Sequence, residues 1–371
     1  MRTRLLAVSV ALALVGVGAA AIRPEADSVR LADAQVAVTT STSTSVATTT
    51  TTAPPPPTTV ATAPPATPAP VRTTARPAPA PAPRAPAPAP VAVAPTLRTG
   101  APLVAGEPAA FGGFGAWIDV YDWSAESTKG QPTVGPNDVD RMADFGVQVL
   151  YVQAARQASP NDVVDPTLLR PIINRAHARG MRVIVWYVPT LQDPALDLRK
   201  LLAIAALGVE GVGVDIESRA VSDVPERNRR LVDLSIALRQ HLPGVPISAI
   251  VMPAVLMEVV NPNFWPGFPY REIAPAYDVW MPMGYWTSRK ESSGYRDAYR
   301  YTAENIDRLR AQVGRPDLPV HPIGGIGDAT STDDIDGFRR AAVERGSLGG
   351  SIYDYRTTGD ALWAHLQPFR S

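Results

Sequence analysis

The chain has no cysteine among its 371 residues. Disulfides, cysteine-ligated metals and a cysteine nucleophile are therefore excluded, and stability must come from packing. A lipid anchor on a cysteine after the N-terminal apolar run is excluded for the same reason. Histidine is scarce too: His177, His241, His321 and His365 are scattered, and only His321 lies on an expected strand, near its start. A histidine cluster for a metal-dependent hydrolase is not available, so these read as surface or packing residues and no metal is expected. The glycines of "GGIGD" (324–328) lack the Lys-Ser/Thr pair of a phosphate loop. The acids of "GPNDVDRMADFG" lack calcium-loop spacing. No cofactor is expected.

Charge of one sign is also missing. The chain carries 35 basic and 35 acidic residues. Through Arg98 there are 8 basic and 3 acidic residues, which leaves 27 basic and 32 acidic beyond it, a net of −5. A mildly acidic domain argues against nucleic acid as a partner, because that binding neutralises phosphates.

What is present falls into three regions. Arg2 and Arg4 precede an apolar run from Leu5 to Ala21 that closes on small residues, so residues 1–22 read as a signal peptide or, uncleaved, a membrane anchor through 5–21. Residues 23–99 read as a disordered Thr/Ser/Pro/Ala-rich linker, with "TTSTSTSVATTTTT" followed by "APPPPTTVATAPPATPAP" and alternating Ala-Pro. At about 3.1 Å per residue such a tract reaches on the order of 100 Å. Both features imply a secreted or cell-surface, cell-wall associated protein. Residues 100–371 remain as one globular domain, expected to be a monomer.

Within that domain one pattern repeats: a short apolar run, a polar loop, an amphipathic stretch and a glycine. "DFGVQVLYVQ", "ARGMRVIVWYV", "ALGVEGVGVDIE" and "ERGSLGGSIYDY" each place glycine where a helix ends and a strand begins. Strands are expected near 116–122, 147–154, 181–188, 211–217, 246–252, 278–284, 319–325 and 349–354. Alternation of this kind implies parallel strands with crossover helices. Eight units in this length fit a closed (β/α)8 TIM barrel, with an open doubly wound sheet as the alternative.

Active sites in such barrels sit at the C-terminal strand ends. Those ends carry Asp119, Tyr121, Asp122 and Trp123; Gln153; Trp186 and Tyr187; Asp215 and Glu217; Met252; Met283, Tyr285 and Trp286; Gly324, Gly325 and Asp328; Tyr353, Asp354 and Tyr355. Aromatics with carboxylates and amides are the equipment for binding sugars. Cleaving a glycosidic bond further needs an acid for the leaving oxygen and a partner that stabilises the oxocarbenium charge. Asp215 and Glu217 stand two apart on one strand, so both side chains enter the mouth, and two such carboxylates resist ionising together. Glu217 is the candidate acid and Asp215 its partner. The plainer reading has Glu217 paired with Arg219. Asp122, Trp123, Gln153, Tyr187, Met283, Trp286, Tyr353 and Asp354 are the expected substrate-binding residues. The acidic rim would suit neutral or amino sugars slightly better than polyanions.

The segment "EGVGVDIE" (210–217) resembles the strand-4 signature of chitinase-type family 18 glycoside hydrolases, Asp-Gly-x-Asp-x-Asp-x-Glu, through Gly211, Asp215 and Glu217. Glu210 and Gly213 replace the first two aspartates. "MPMGYW" is similar to that family's Met-x-Tyr-Asp through Met283 and Tyr285, with Trp286 in place of the acid. "WIDVYDWS" resembles the opening of the family 25 muramidases, which adds Asp119 to Asp215 and Glu217 and puts Tyr121 in place of a serine. These resemblances imply a glycoside-hydrolase-like barrel. The first implies a substrate-assisted mechanism: Glu217 protonates the glycosidic oxygen, the substrate's 2-acetamido oxygen attacks, and Asp215 and Tyr285 hold that group. The second leaves open a direct role for Asp119 or Asp122. A two-glutamate arrangement is disfavoured, because "PVHPIGGIGD" has no glutamate. The functional expectation is an exported glycosidase acting on a polysaccharide or oligosaccharide. The rival is a non-catalytic glycan-binding barrel, since a fold alone never establishes chemistry.

Overall fold

The computed structural model describes residues 95–369. The expected signal or anchor (1–22) and all but the last residues of the expected linker (23–99) lie outside the described residues. Among the described residues no helix is long and apolar enough to cross a membrane.

Eight parallel strands close into a barrel in sequence order. They are β1 (Gly113–Ile118), β2 (Val149–Gln153), β3 (Arg182–Tyr187), β4 (Gly211–Ile216), β5 (Ile247–Val251), β6 (Val279–Gly284), β7 (Ile323–Gly325) and β8 (Gly349–Tyr353). Pairing of β1 with both β2 and β8 closes the ring, so the open sheet is ruled out. The major crossover helices start at side-chain caps such as Asp223, Asp297 and Ser331. The glycine ahead of each strand serves as expected at Gly180 and Gly346, whose φ of +71° and +60° end their helices in the left-handed region.

Two strands differ from the expected spans. The first ends at Ile118 and not near 122, because Asp119 caps a helical turn over Val120–Trp123. Its side chain accepts from the Tyr121 N–H at 2.8 Å, and Asp122 accepts from the Asp119 N–H at 3.0 Å. This local capping box overrides the alternation of "WIDVYDW". The seventh strand shrinks to Ile323–Gly325, with one isolated bridge from Val320 to Trp280. Pro319 and Pro322 have no N–H to give to a ladder.

Residues 97–111 lead into the barrel along its outside. Thr99 donates its N–H to Gln240 at 3.1 Å, Arg98 pairs with Asp233, and Gly106 donates to Asp278 at 2.8 Å. Asp278 also receives the fully buried Arg239 guanidinium at 2.5 Å. Phe111 then plugs the base of the barrel.

The interior is filled by rings joined through one polar chain. Trp117 stacks on Tyr151 at 4.3 Å and meets Trp186 edge-on at 5.8 Å. Its indole N–H donates to Ser351 Oγ at 2.8 Å. His321 Nε2 lies 3.0 Å from the same oxygen, and Nδ1 lies 2.8 Å from the Phe111 carbonyl. A carbonyl only accepts, so Nδ1 carries the hydrogen and Nε2 accepts from Ser351. His321 is thus a packing residue, and burial lowers its pKa to about 3.

A depressed histidine pKa stabilises the fold above the unfolded value near 6.5 and loses that stability as pH falls toward 3. We expect this site to remove up to about 4 kcal/mol between those limits. Urea unfolding at a series of pH values, with the His321 ring followed by NMR, checks it. A ring that titrates in the native protein above pH 5 contradicts the assigned hydrogen-bond chain.

Candidate active site

The fourth strand builds the centre. Side chains two apart share a face, so Gly211, Gly213 and Asp215 look into the barrel and Glu217 follows at its lip. The two glycines are there because nothing larger fits. A methyl carbon at Gly213 would lie 2.8 Å from Cδ1 of Ile250 and 3.1 Å from Cβ of Trp186. One at Gly211 would lie 3.2 Å from the Phe111 ring. Above this packed floor, Asp215 and Glu217 are each 7% exposed.

Tyr285 enters from the end of β6, one residue past Gly284, with Met283 below it on the same face. Burial pushes the Tyr285 pKa well above its ordinary value, and the negative charges of Asp215, Glu217 and Asp354 push it further. The phenol therefore stays protonated and able to donate a hydrogen bond beside these acids. Asp215, Glu217 and Tyr285, three of the four residues singled out for chemistry, thus come together.

The fourth, Asp119, belongs to a neighbouring network between β1 and β8. Its carboxylate accepts from the Tyr121 N–H and, at 2.8 Å, from the Tyr353 hydroxyl. Asp122 accepts from the Asp119 N–H and from Arg356 at 3.2 Å. Gln153 accepts from the Val120 N–H at 3.2 Å, and Asp354 accepts from the Thr357 N–H at 2.9 Å. Carboxylate oxygens of Asp119, Asp122 and Asp354 lie within 4.8 Å of one another, near enough to share an ion. Arg356 is the one cation among the partners just named. Tyr353 joins the two halves of the site, with its ring 5.9 Å from Tyr285 and 6.4 Å from Trp117.

Two expected sugar contacts face elsewhere, and a third is fully buried. Tyr187 donates its hydroxyl to Asp197 of the helix Pro194–Ala205 at 2.7 Å, and burial raises the Asp197 pKa to about 6. The inward residue of that strand end is Trp186, whose parity with Ile184 was the available signal. Trp286 is fully buried, 5.4 Å from Phe338 of the helix Thr332–Glu344, and a methyl carbon at Gly324 would lie 2.7 Å from its ring. Trp123 is fully buried as well. Arg219, the suggested partner of Glu217, lies instead with its guanidinium 4.8 Å from the Phe264 ring centre.

No family model matches this chain, and no curated protein matches it. Solved structures do. A class V chitinase from Pseudomonas fluorescens Pf-5 is 11% identical with a TM-score of 0.51, over 69% of this chain and 98% of that one. A GH18 chitinase from Cycas revoluta, solved with (GlcNAc)3, is 12% identical with a TM-score of 0.51, over 69% and 99%. The Bacillus cereus spore cortex-lytic enzyme SleL is 13% identical with a TM-score of 0.50, over 70% and 75%. The domain thus has a glycoside-hydrolase-like TIM-barrel fold.

The hydrogen bonds of Asp119 make it a structural cap and an anchor for Tyr353. Asp119→Ala should cost about 1–2 kcal/mol from the lost cap alone, read by chemical denaturation. Asp119→Asn, which keeps one acceptor oxygen, should cost less. Equal and negligible losses would show that the cap carries no load.

Proposed function

We propose that this protein is an exported glycoside hydrolase acting on a cell-wall or extracellular glycan, with Glu217 as general acid and Asp215 as its partner. The observation that carries the reading is the convergence of Asp215, Glu217 and a protonated Tyr285 at the C-terminal mouth of the barrel. A sugar seated there meets an acid for the leaving oxygen. It also meets a carboxylate and a phenol able to hold an acetamido group whose oxygen attacks the anomeric carbon. The phenol donates to that oxygen or to a neighbouring hydroxyl, while Asp215 accepts from the amide N–H and stabilises the positive charge that develops. Low exposure strengthens each of these interactions.

The alternative in which Asp119 or Asp122 acts directly has less support, because both carboxylates are engaged by the donors of the β1 and β8 ends. Residues 1–22 as signal or anchor and 23–99 as a tether complete the reading, and Tyr353 and Asp354 line its substrate side.

One observation favours a second reading, a barrel that binds glycans without cleaving them. Trp186 and Ile250 occupy the space into which a side chain at position 213 would project, and Trp286 stands where the strand-6 resemblance puts an acid. A screen of defined oligosaccharides separates the two. With a hydrolase, Glu217→Gln lowers kcat by about 10²–10⁴-fold and keeps binding, and Tyr285→Phe lowers it less. Wild-type protein that binds oligosaccharides and releases no product from any of them would sink the hydrolase reading.

A further inference from the structure

Just past Glu217 the structure holds two like charges without an acid between them. Arg227 sits in the first turns of the helix Val224–His241 and is 3% exposed. Its guanidinium lies 4.1 Å from the Trp265 ring centre, one Nη1 hydrogen bond runs to the Val221 carbonyl at 3.3 Å, and its buried Nε has no partner. Arg219, on the exposed loop after β4, stacks on the adjacent ring, Phe264. Burial lowers the Arg227 pKa, and the charge of Arg219 adds to that effect.

The acids at the start of that helix are occupied. Glu226 is held by Arg229 and Arg230, and Asp223 caps the helix through the Glu226 N–H. Neither arginine forms an ion pair among the described residues. The rings that carry them are fixed in turn, since Trp265 Nε1 donates to Asn228 at 2.7 Å and Asn228 donates to the Gly267 carbonyl at 2.7 Å. Two guanidinium groups on the rings of consecutive residues, neither in an ion pair and one with an orphaned donor, are a site prepared for an oxyanion.

We propose that Arg219 and Arg227 form an anion subsite beside Glu217 that binds a carboxylate, sulfate or phosphate carried by the glycan. The ligand class is therefore an acidic glycan. This rests on the glycan reading above and deepens it. It also departs from the expectation, drawn from the acids of the rim, that neutral or amino sugars would be preferred.

The test reads binding and not turnover. The Trp265 indole N–H resonance is followed while the full chain is titrated with four probes: an N-acetylmuramic acid-terminated disaccharide, a sulfated N-acetylglucosamine disaccharide, uncharged chitobiose, and inorganic phosphate alone. One or both of the anionic disaccharides should bind at least about tenfold more tightly than chitobiose and move this resonance. The charged probe that binds identifies the oxyanion. Arg219→Gln, at an exposed position, should erase the preference, and Arg227→Lys, which keeps the charge and loses the fork, should weaken it. Glu217→Gln should leave it intact, so the subsite stands or falls separately from cleavage. Equal binding of charged and uncharged disaccharides, an unaltered preference in Arg219→Gln, or a response to inorganic phosphate with no preference for either anionic disaccharide would each overturn the proposal.

Discussion

The constraint on which the site depends is the two-residue alternation of β4 inside a closed barrel. Closure fixes which face of the strand is interior, and the interior is already full at its lower levels. Phe111, Ile184, Trp186 and Ile250 crowd the inward positions so closely that Gly211 and Gly213 leave no room for a Cβ. The same parity then delivers Asp215 and Glu217 to the mouth. A shift of one residue in register would turn both acids toward the helices and bring Val212 and Val214 inside. The glycines and the acids are therefore consequences of one packing condition.

The carboxylates at this end of the barrel divide by what surrounds them. Asp119 and Asp122 spend their oxygens on backbone N–H groups, a tyrosine hydroxyl and Arg356, and in doing so tie the end of β1 to that of β8. Asp215 and Glu217 lie beside a phenol whose proton is held by burial and by their own charge. Proximity to the mouth alone would have grouped all four together. Hydrogen bonds give the first two a scaffolding role, and the parity of β4 places the second two beside Tyr285.

Much of this was legible in the sequence, because the relevant signals are local and periodic. Glycines at helix ends and runs of β-branched residues marked the barrel, and the spacing of Asp215 and Glu217 placed them on one face. The failures occur where a strand stops. At Asp119 a four-residue capping box competes with alternation and wins, which moves the end of β1 by four residues. At the ends of β3 and β6 two neighbouring residues are both plausible sugar contacts, and parity decides between them only when the register is known. Trp186 thus faces in while Tyr187 faces Asp197, and Tyr285 faces in while Trp286 packs on Phe338. Arg219 and Arg227 could not be paired from sequence at all, since the rings that position them, Phe264 and Trp265, arrive from a different loop.

That last pair also shows why a charge count misleads about a surface. The domain is acidic by count, and five acids gather at its mouth, yet all five are buried and so project less field outward than exposed charges would. Arg219 is exposed and forms no ion pair among the described residues, and the buried Arg227 stacks on the ring next in sequence. Over a distance shorter than the Debye length, about 8–10 Å in physiological salt, an approaching ligand responds to those nearest charges and not to the net charge. In the proposed hydrolase the acids would set the chemistry at the centre of the barrel, and the proposed arginine subsite would set the sign of what is held beside it.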